Sequence, residues 1–230
     1  MKSPASRRRT RQAEPLSRER IVAAALEEIE ASSLAGFSTR KLGERLGVEA
    51  MSIYHHFPSK QHLLDALVEQ AIESVEVPEP VERDDAENER RVRACLQSYR
   101  AMARRWPALF PLVAVHRLNM PAGVRFIEAV LRLMRSVITD DELAARHFRV
   151  MGYYLIGAGL EETAGYARGP SAAEPVGDDF IARECPNLIA AAPYFQQRHW
   201  DTTFELGIDA LIERAKADVA ARRKRRAARS

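Results

Sequence analysis

Cysteine is scarce in this chain. Cys95 and Cys185 are the only two, far apart and without metal-type spacing. That excludes a zinc finger or a disulfide-stapled scaffold, and leaves two reduced, buried thiols as the expectation. Long apolar runs are missing too: no stretch reaches the roughly 18 residues that a membrane-spanning helix needs. The opening MKSPASRRRTRQ is basic, but no apolar segment follows it, so it does not read as a secretory signal and a cytoplasmic location is expected. No strand-type alternation and no internal repeat occurs. The chain also lacks G-x-S-x-G, a P-loop, H-E-x-x-H and C-x-x-C. His55 and His56 are adjacent, as are Glu161 and Glu162, so on a helix the members of each pair diverge and serve neither as a shared metal site nor as a carboxylate dyad. No enzyme activity, cofactor or bound metal is expected.

What is present is a chain of 230 residues, 46% hydrophobic and 29% charged, enough apolar material for a packed core. The net charge of +3 hides an asymmetry. Residues 1–60 sum to +4 and residues 222–230, RRKRRAARS, to +6, so the middle of the chain is −7. Basic ends around an acidic body suit an end that meets a polyanion and a body that does not.

Helical periodicity runs throughout, so the fold class is all-α. Residues 1–15 read as a disordered basic arm. A first helix follows, with Ser17 as its cap and Ile21, Ala24, Ala25 and Ile29 on one face. After a turn at LAGF, Ser38 caps a second helix, with Leu42 and Leu46 inward and Gly47 where a helix-ending glycine belongs. A third helix is predicted from about Glu49 to Phe57, and Ser59 caps a fourth, KQHLLDALVEQAIESV. The Pro-rich, acidic VPEPVERDDAE marks the expected domain boundary: 16–77 as one domain, 78–220 as a second. Within the second, helices are predicted over about 86–105, from Pro121, and from a capping box Thr139–Glu142. ARGPSAAEPVGDD reads as a loop and DTTFELGIDALIERAKADVAARR as the last helix. Residues 221–230 read as a disordered basic tail.

Helix, tight turn at Gly47, helix is the helix-turn-helix spacing, and packing Leu42 and Leu46 against Ile53 and Phe57 makes the third helix project. Its outward residues Met51, Ser52, Tyr54, His55 and His56 are otherwise hard to place on a solvated helix. Hydroxyls and imidazoles suit phosphates and base edges, and Ala50 and Met51 suit thymine methyls. Thr39 and Arg40 open a helix whose free N–H groups favour a phosphate, and Lys60 offers a second clamp.

The segment FSTRKLGERLGVEAMSIYHHFPSKQHLLDAL resembles the tetracycline-repressor (TetR) family of bacterial regulators, with the family's capped helix, Gly-Val, Tyr-x-His-Phe helix, lysine and Leu-Leu pair over about residues 17–70. The resemblance implies an N-terminal three-helix DNA-binding domain and a larger helical domain for ligand binding and dimerisation. It assigns DNA contacts to Thr39, Arg40, Ala50, Met51, Ser52, Tyr54, His55 and Lys60, beside Ser38, with His56 near the backbone. The segment RRRTR could add an arm.

The second domain offers Trp106, Phe110, Phe126, Met134, Tyr153 and Tyr154 among aliphatic residues, with His116, Asn119, Glu161 and Glu162 as polar groups in apolar surroundings. HRLNMP, GAGLEE and FELGIDALIER resemble segments of the tetracycline-repressor subgroup itself. Met120 stands where that subgroup has an arginine, and the fourth helix lacks its drug-gripping histidine, so neither tetracycline nor a metal is expected. The candidate ligand set is Trp106, Phe110, His116, Asn119, Met120, Phe126, Met134, Tyr153, Tyr154 and Glu161. Phe204, Gly207, Ile208 and Leu211 form the expected homodimer face. The function implied is a ligand-responsive regulator, a repressor first, that binds palindromic operator DNA as a dimer and is released by a small-molecule inducer. A ligand tilting the fourth helix would move the recognition helices out of register. A ligand-independent architectural DNA-binding protein and a small all-α enzyme are the alternatives.

Overall fold

The computed structural model describes residues 15–164 and 172–228. The basic arm, with RRRTR, and part of the ARGPSAAEPVGDD loop lie outside the described residues. Among the described residues there is helix and no strand. No helix among them is long and apolar enough to cross a membrane. The chain divides into two compact units at Leu63–Leu64. The division falls inside the fourth helix rather than at the Pro-rich break.

The first unit holds α1 (Arg18–Gly36), α2 (Thr39–Leu46), α3 (Ala50–Tyr54) and the first turn of α4 (Lys60–Glu73). The Ser17 hydroxyl accepts from the Arg20 N–H at 3.2 Å and caps α1, as its position predicts. α1 is interrupted at Ser33, whose φ is 65°, so LAGF forms a separate turn. Ile21, Ala25, Ile29, Phe37, Leu42, Ile53, Phe57 and Leu63 are all buried in this unit. Arg45 of α2 ties back to α1 through Glu28 at 3.0 Å and Glu27 at 3.2 Å. The Glu28 carboxyl is held below its ordinary range, chiefly by the Arg45 hydrogen bond.

The second unit contains the rest of α4, α5 (Asp85–Arg105), α6 (Phe110–Val115), α7 (Pro121–Arg135), α8 (Asp141–Ala164), the short α9 (Asp178–Glu184) and α10 (Pro186–Ala191), two 3-10 turns, and α11 (Trp200–Ala227). The Pro-rich break is tied down by Asn88: its Oδ1 accepts from the Val81 N–H and its Nδ2 donates to the Val81 carbonyl, both at 2.7 Å. One core joins α5, α7, α8 and α11 through Val92, Leu96, Leu133, Met151, Phe204 and Ile208. Cys95 is buried in it; Cys185 is only half-buried, so the two thiols do not share a fate. Burial pushes the Cys95 thiol up to about 12, which leaves it an inert thiol.

Two terminal expectations are corrected. The cap of α8 is Asp140, not Thr139: Asp140 Oδ1 accepts from the Leu143 N–H at 3.2 Å. The basic tail is helix through Ala227, because Arg222 and Arg226 reach Asp140 Oδ2 at 3.1 and 3.0 Å and Arg222 also reaches Glu142 at 3.2 Å. Arg and Ala are good helix formers, and these distant carboxylates offset the like-charge repulsion.

Candidate nucleic-acid interface and cavity

The turn between α2 and α3 is built from backbone. Gly47 has φ 68°, in the left-handed region. The Gly47 N–H donates to the Glu44 carbonyl at 3.3 Å and the Val48 N–H to the Gly43 carbonyl at 3.0 Å, the paired bonds of a Schellman end. Gly43, which the sequence reading passed over, sets the approach of the next segment. A Cβ there would lie 2.8 Å from the Val48 carbonyl oxygen and 3.2 Å from the Ala50 nitrogen. Sequence offered a signal in its G-x-x-x-G spacing with Gly47, but only the fold shows which backbone comes close.

α3 is shorter than predicted. It stops at Tyr54, and the N–H groups of His56 and Phe57 both donate to the Ile53 carbonyl at 3.0 Å to close the turn. Pro58 disfavours helical backbone at Phe57, which explains the early end. Arg18 then clamps this turn. Its guanidinium lies 4.1 Å from the Phe57 ring centroid and donates to the His56 carbonyl.

The candidate DNA contacts fall into two groups. Met51 (65% exposed), His55 and Arg40 are presented outward. Among the described residues Arg40 makes an exposed pair with Glu44 at 3.4 Å, which a phosphate can displace at little cost. Ala50, Ser52 and His56 are half-buried beside them. The second group is engaged within the protein. The Tyr54 and Thr39 hydroxyls lie 3.2 Å apart, joining α3 to the start of α2. The Ser38 hydroxyl accepts from the Lys41 N–H at 3.3 Å. Lys60 donates to the Phe37 carbonyl at 3.0 Å, so it braces the turn before α2, with two ammonium protons left for another acceptor. Ser59 caps α4 as expected, accepting from the His62 N–H at 3.3 Å.

In the second unit a cavity of about 560 Å³ opens between α5, α7 and α8. Of the candidate ligand residues it is lined by His116, Phe126, Met134 and Tyr153. The others stand elsewhere. Trp106 and Phe110 are buried core, and Tyr154 stacks on Phe204 with centroids 5.5 Å apart and donates to the Phe204 carbonyl at 2.9 Å. Met120 sits at the cap of α7; Asn119 and Glu161 are exposed and do not line the cavity. Glu162 is buried but satisfied, gripped by Arg100 at 2.5 Å and Arg104 at 2.7 Å. The sequence reading missed Tyr99, Phe148, Arg117 and Arg149, which also line the cavity. Tyr99 continues the Val92, Cys95, Leu96 face of α5, a periodicity visible in sequence. Burial pushes its phenol up to about 12, so it stays a neutral hydroxyl.

His116 is held at both ring nitrogens. Nδ1 accepts from the Leu118 N–H at 3.1 Å, which leaves Nε2 to carry the proton and donate to Asp65 of α4 at 3.2 Å. Leu118 itself has φ 52°, an uncommon conformation for a bulky residue.

The expected dimer face turns inward. Phe204 and Ile208 are buried in the chain's own core, Leu211 packs against that core, and a Cβ at Gly207 would overlap the Tyr154 phenol. The apolar stripe of α11 is thus used within one chain.

Comparison with known proteins agrees with this architecture. Residues 21–67 match the family model "Bacterial regulatory proteins, tetR family", and residues 79–218 match "Tetracyclin repressor-like, C-terminal domain". The class A tetracycline repressor protein of transposon 1721 from Escherichia coli is 30% identical over 201 residues, covering 84% of this chain and 87% of that protein. The class C tetracycline repressor protein from Escherichia coli is 30% identical over 211 residues, 88% of each chain. Among solved structures, the TetR family protein ActR of Streptomyces coelicolor in complex with actinorhodin superposes with a TM-score of 0.69 at 28% identity, covering 90% of this chain and 99% of that one. Two family models that between them take in both the helix-turn-helix and the larger helical unit, together with relatives alike over most of their length, place this chain in the tetR family of bacterial regulatory proteins.

Proposed function

We propose that this protein represses transcription by binding a palindromic operator as a homodimer through α2 and α3, and that a small molecule in the cavity of the second unit releases it. One observation carries the reading: Met51, His55 and Arg40 are presented outward from a backbone-locked turn where the core has no use for them. Tyr54 and Lys60 keep that surface pre-organised, which lowers the ordering cost of binding. The outward faces of α8 and α11, not the Phe204–Ile208 stripe, are the dimer surface.

The cavity has the size of a small-molecule site. Among the described residues its lining includes Arg117, Arg149 and His116 and no carboxylate, so the ligand is an apolar or aromatic molecule without a positive centre. Among the described lining residues the metal-type donors are one imidazole, one inert thiol and two phenol hydroxyls with no carboxylate, so a metal–drug chelate is not proposed. The route from ligand to DNA begins at His116, which lines the cavity and holds Asp65 on α4, the helix whose first turn belongs to the DNA-reading unit. A ligand that draws His116 away from Asp65 binds one state of α4 better than the other, and a difference of about 1–3 kcal/mol suffices for regulation.

The test is fluorescence anisotropy with the intergenic DNA beside the protein's own gene and a scrambled duplex at the same salt. Binding at two or more chains per site, lost on the scrambled duplex, supports the reading; equal binding to both duplexes removes it. His116→Ala should keep operator affinity while losing response to any inducer found with the same probe.

A further inference from the structure

The second unit holds another hollow, of about 440 Å³, between α5, α7, α8 and the C-terminal half of α11. Its floor is apolar: Val137, Ile138, Ile212 and Val219, together with Val92, Met134 and Met151. Those last three also line the cavity beside His116. One layer of side chains therefore separates the two spaces.

The mouth is charged, and the charges are unequal. Lys216 is shared between Glu89 at 3.2 Å and Glu213, outside the hollow, at 2.9 Å. Asp85 lies in the first turn of α5, where the helix dipole offsets its charge. Arg223 and Lys224 have no ion pair among the described residues. They stand beside Arg222 and Arg226, whose bonds to Asp140 fix the last turns of α11. Two cations thus stand at the rim of an apolar hollow, on a helix tied to Asp140 by Arg222 and Arg226.

We propose that this hollow is a second ligand site, for a single-chain amphipathic anion such as a medium-chain carboxylate, with its chain on the Val137–Ile212–Val219 floor and its head group at Arg223 and Lys224. A neutral head group would forgo the two cations and a cationic one would be repelled by them, so the site discriminates by head charge. Methionine adapts its shape readily. A chain lying on Met134 and Met151 re-packs the layer shared with the first cavity, so occupancy of the two spaces is coupled in both directions.

Isothermal titration calorimetry on the full-length protein, below micellar concentrations, tests this with dodecanoate, dodecanol and dodecyltrimethylammonium. Dodecanoate should bind saturably at one per chain and the cation should not. Changing Arg223→Ala and Lys224→Ala together should weaken dodecanoate at least about tenfold, the scale of losing a charge-assisted contact, and leave helicity by circular dichroism unchanged. Ala220→Trp, on the exposed rim, should block the hollow. Gly152→Phe should fill the first cavity, since Gly152 lines it and has open space around a Cβ; through the shared layer it should shift dodecanoate affinity while the stoichiometry stays at one per chain. Equal binding of all three head groups, indifference to the two rim changes, or loss of dodecanoate in Gly152→Phe alone would each overturn the assignment.

Discussion

The two glycines of the α2–α3 turn, four positions apart, should respond differently to the same methyl group. At Gly47 a Cβ meets nothing within 4 Å, so Gly47→Ala carries only the intrinsic cost of a left-handed alanine, about 1–2 kcal/mol. Restricting the unfolded chain returns about 0.4–1 kcal/mol of that. The net loss is about 0–1.6 kcal/mol, or up to roughly 3–6 °C in Tm for a chain of this size. The turn keeps its shape, so operator affinity should change less than about threefold, or ~0.7 kcal/mol. At Gly43 the backbone is helical and alanine gains about 1 kcal/mol in propensity. Its methyl, however, falls 2.8 Å from the Val48 carbonyl and 3.2 Å from the Ala50 nitrogen, both main-chain atoms. Overpacking of this kind costs about 1–3 kcal/mol, and relief requires moving the segment that begins α3. Gly43→Ala should therefore change Tm by little more than Gly47→Ala but lower operator affinity about tenfold or more, because displacement of about 1 Å breaks base-edge hydrogen bonds. Differential scanning calorimetry and anisotropy at fixed salt read the two quantities. If Gly43→Ala binds operator as tightly as the parent while Gly47→Ala does not, the close approach does not position α3 and the reasoning fails.

Tyr54→Phe removes the hydroxyl contact with Thr39 and should cost about 0.5–1.5 kcal/mol in thermal unfolding, with weaker operator binding as α3 loosens. Glu162→Ala leaves the buried Arg100 without its closest carboxylate and should cost about 3–5 kcal/mol in chemical denaturation. Replacing Arg100 and Glu162 together by apolar residues of similar volume should recover much of that loss. The Asp140 carboxyl is held below its ordinary range first by the Leu143 N–H, then by Arg222 and Arg226. Its stabilisation is complete above the unfolded aspartate range, near 3.9, and is lost as pH falls through the lower folded value. Asp140→Asn should therefore flatten the acid limb of a Tm-against-pH profile, and a profile that keeps the parent's slope would contradict the assignment.

The DNA-reading head was legible because its signals are local. Ser17, Ser38 and Ser59 cap the helices that follow them, and Gly47 ends α2, each through atoms a few residues away. The length of α3 was harder to read, since the pattern Ile53–Phe57 fits a longer helix equally well. The cavity was only partly legible. Trp106, Phe110 and Tyr154 look like ligand residues in composition, yet packing turned Trp106 and Phe110 into core and stacked Tyr154 on Phe204, while Tyr99 and Arg149 were brought to the cavity by helix faces whose orientation only the fold decides. The stripe Phe204–Ile208 was correctly apolar, but periodicity does not tell burial within a chain from burial between chains. The helical tail depended on Asp140 and Glu142, some eighty residues away.

The five residues of α3 rise only about 7.5 Å, the length of roughly two base-pair steps. A reader that short gathers little information on its own, since a genome offers roughly 10⁶–10⁹ competing positions. In the homodimer proposed above, recognition comes from multiplication: two heads at a fixed separation square the odds that a single head provides. The same brevity makes the vocabulary easy to rewrite. The proposed contacts Met51, Ser52 and His55 can change without touching Ile53 or Phe57, so on that proposal a lineage can move to new operators while its fold and its turn stay as they are.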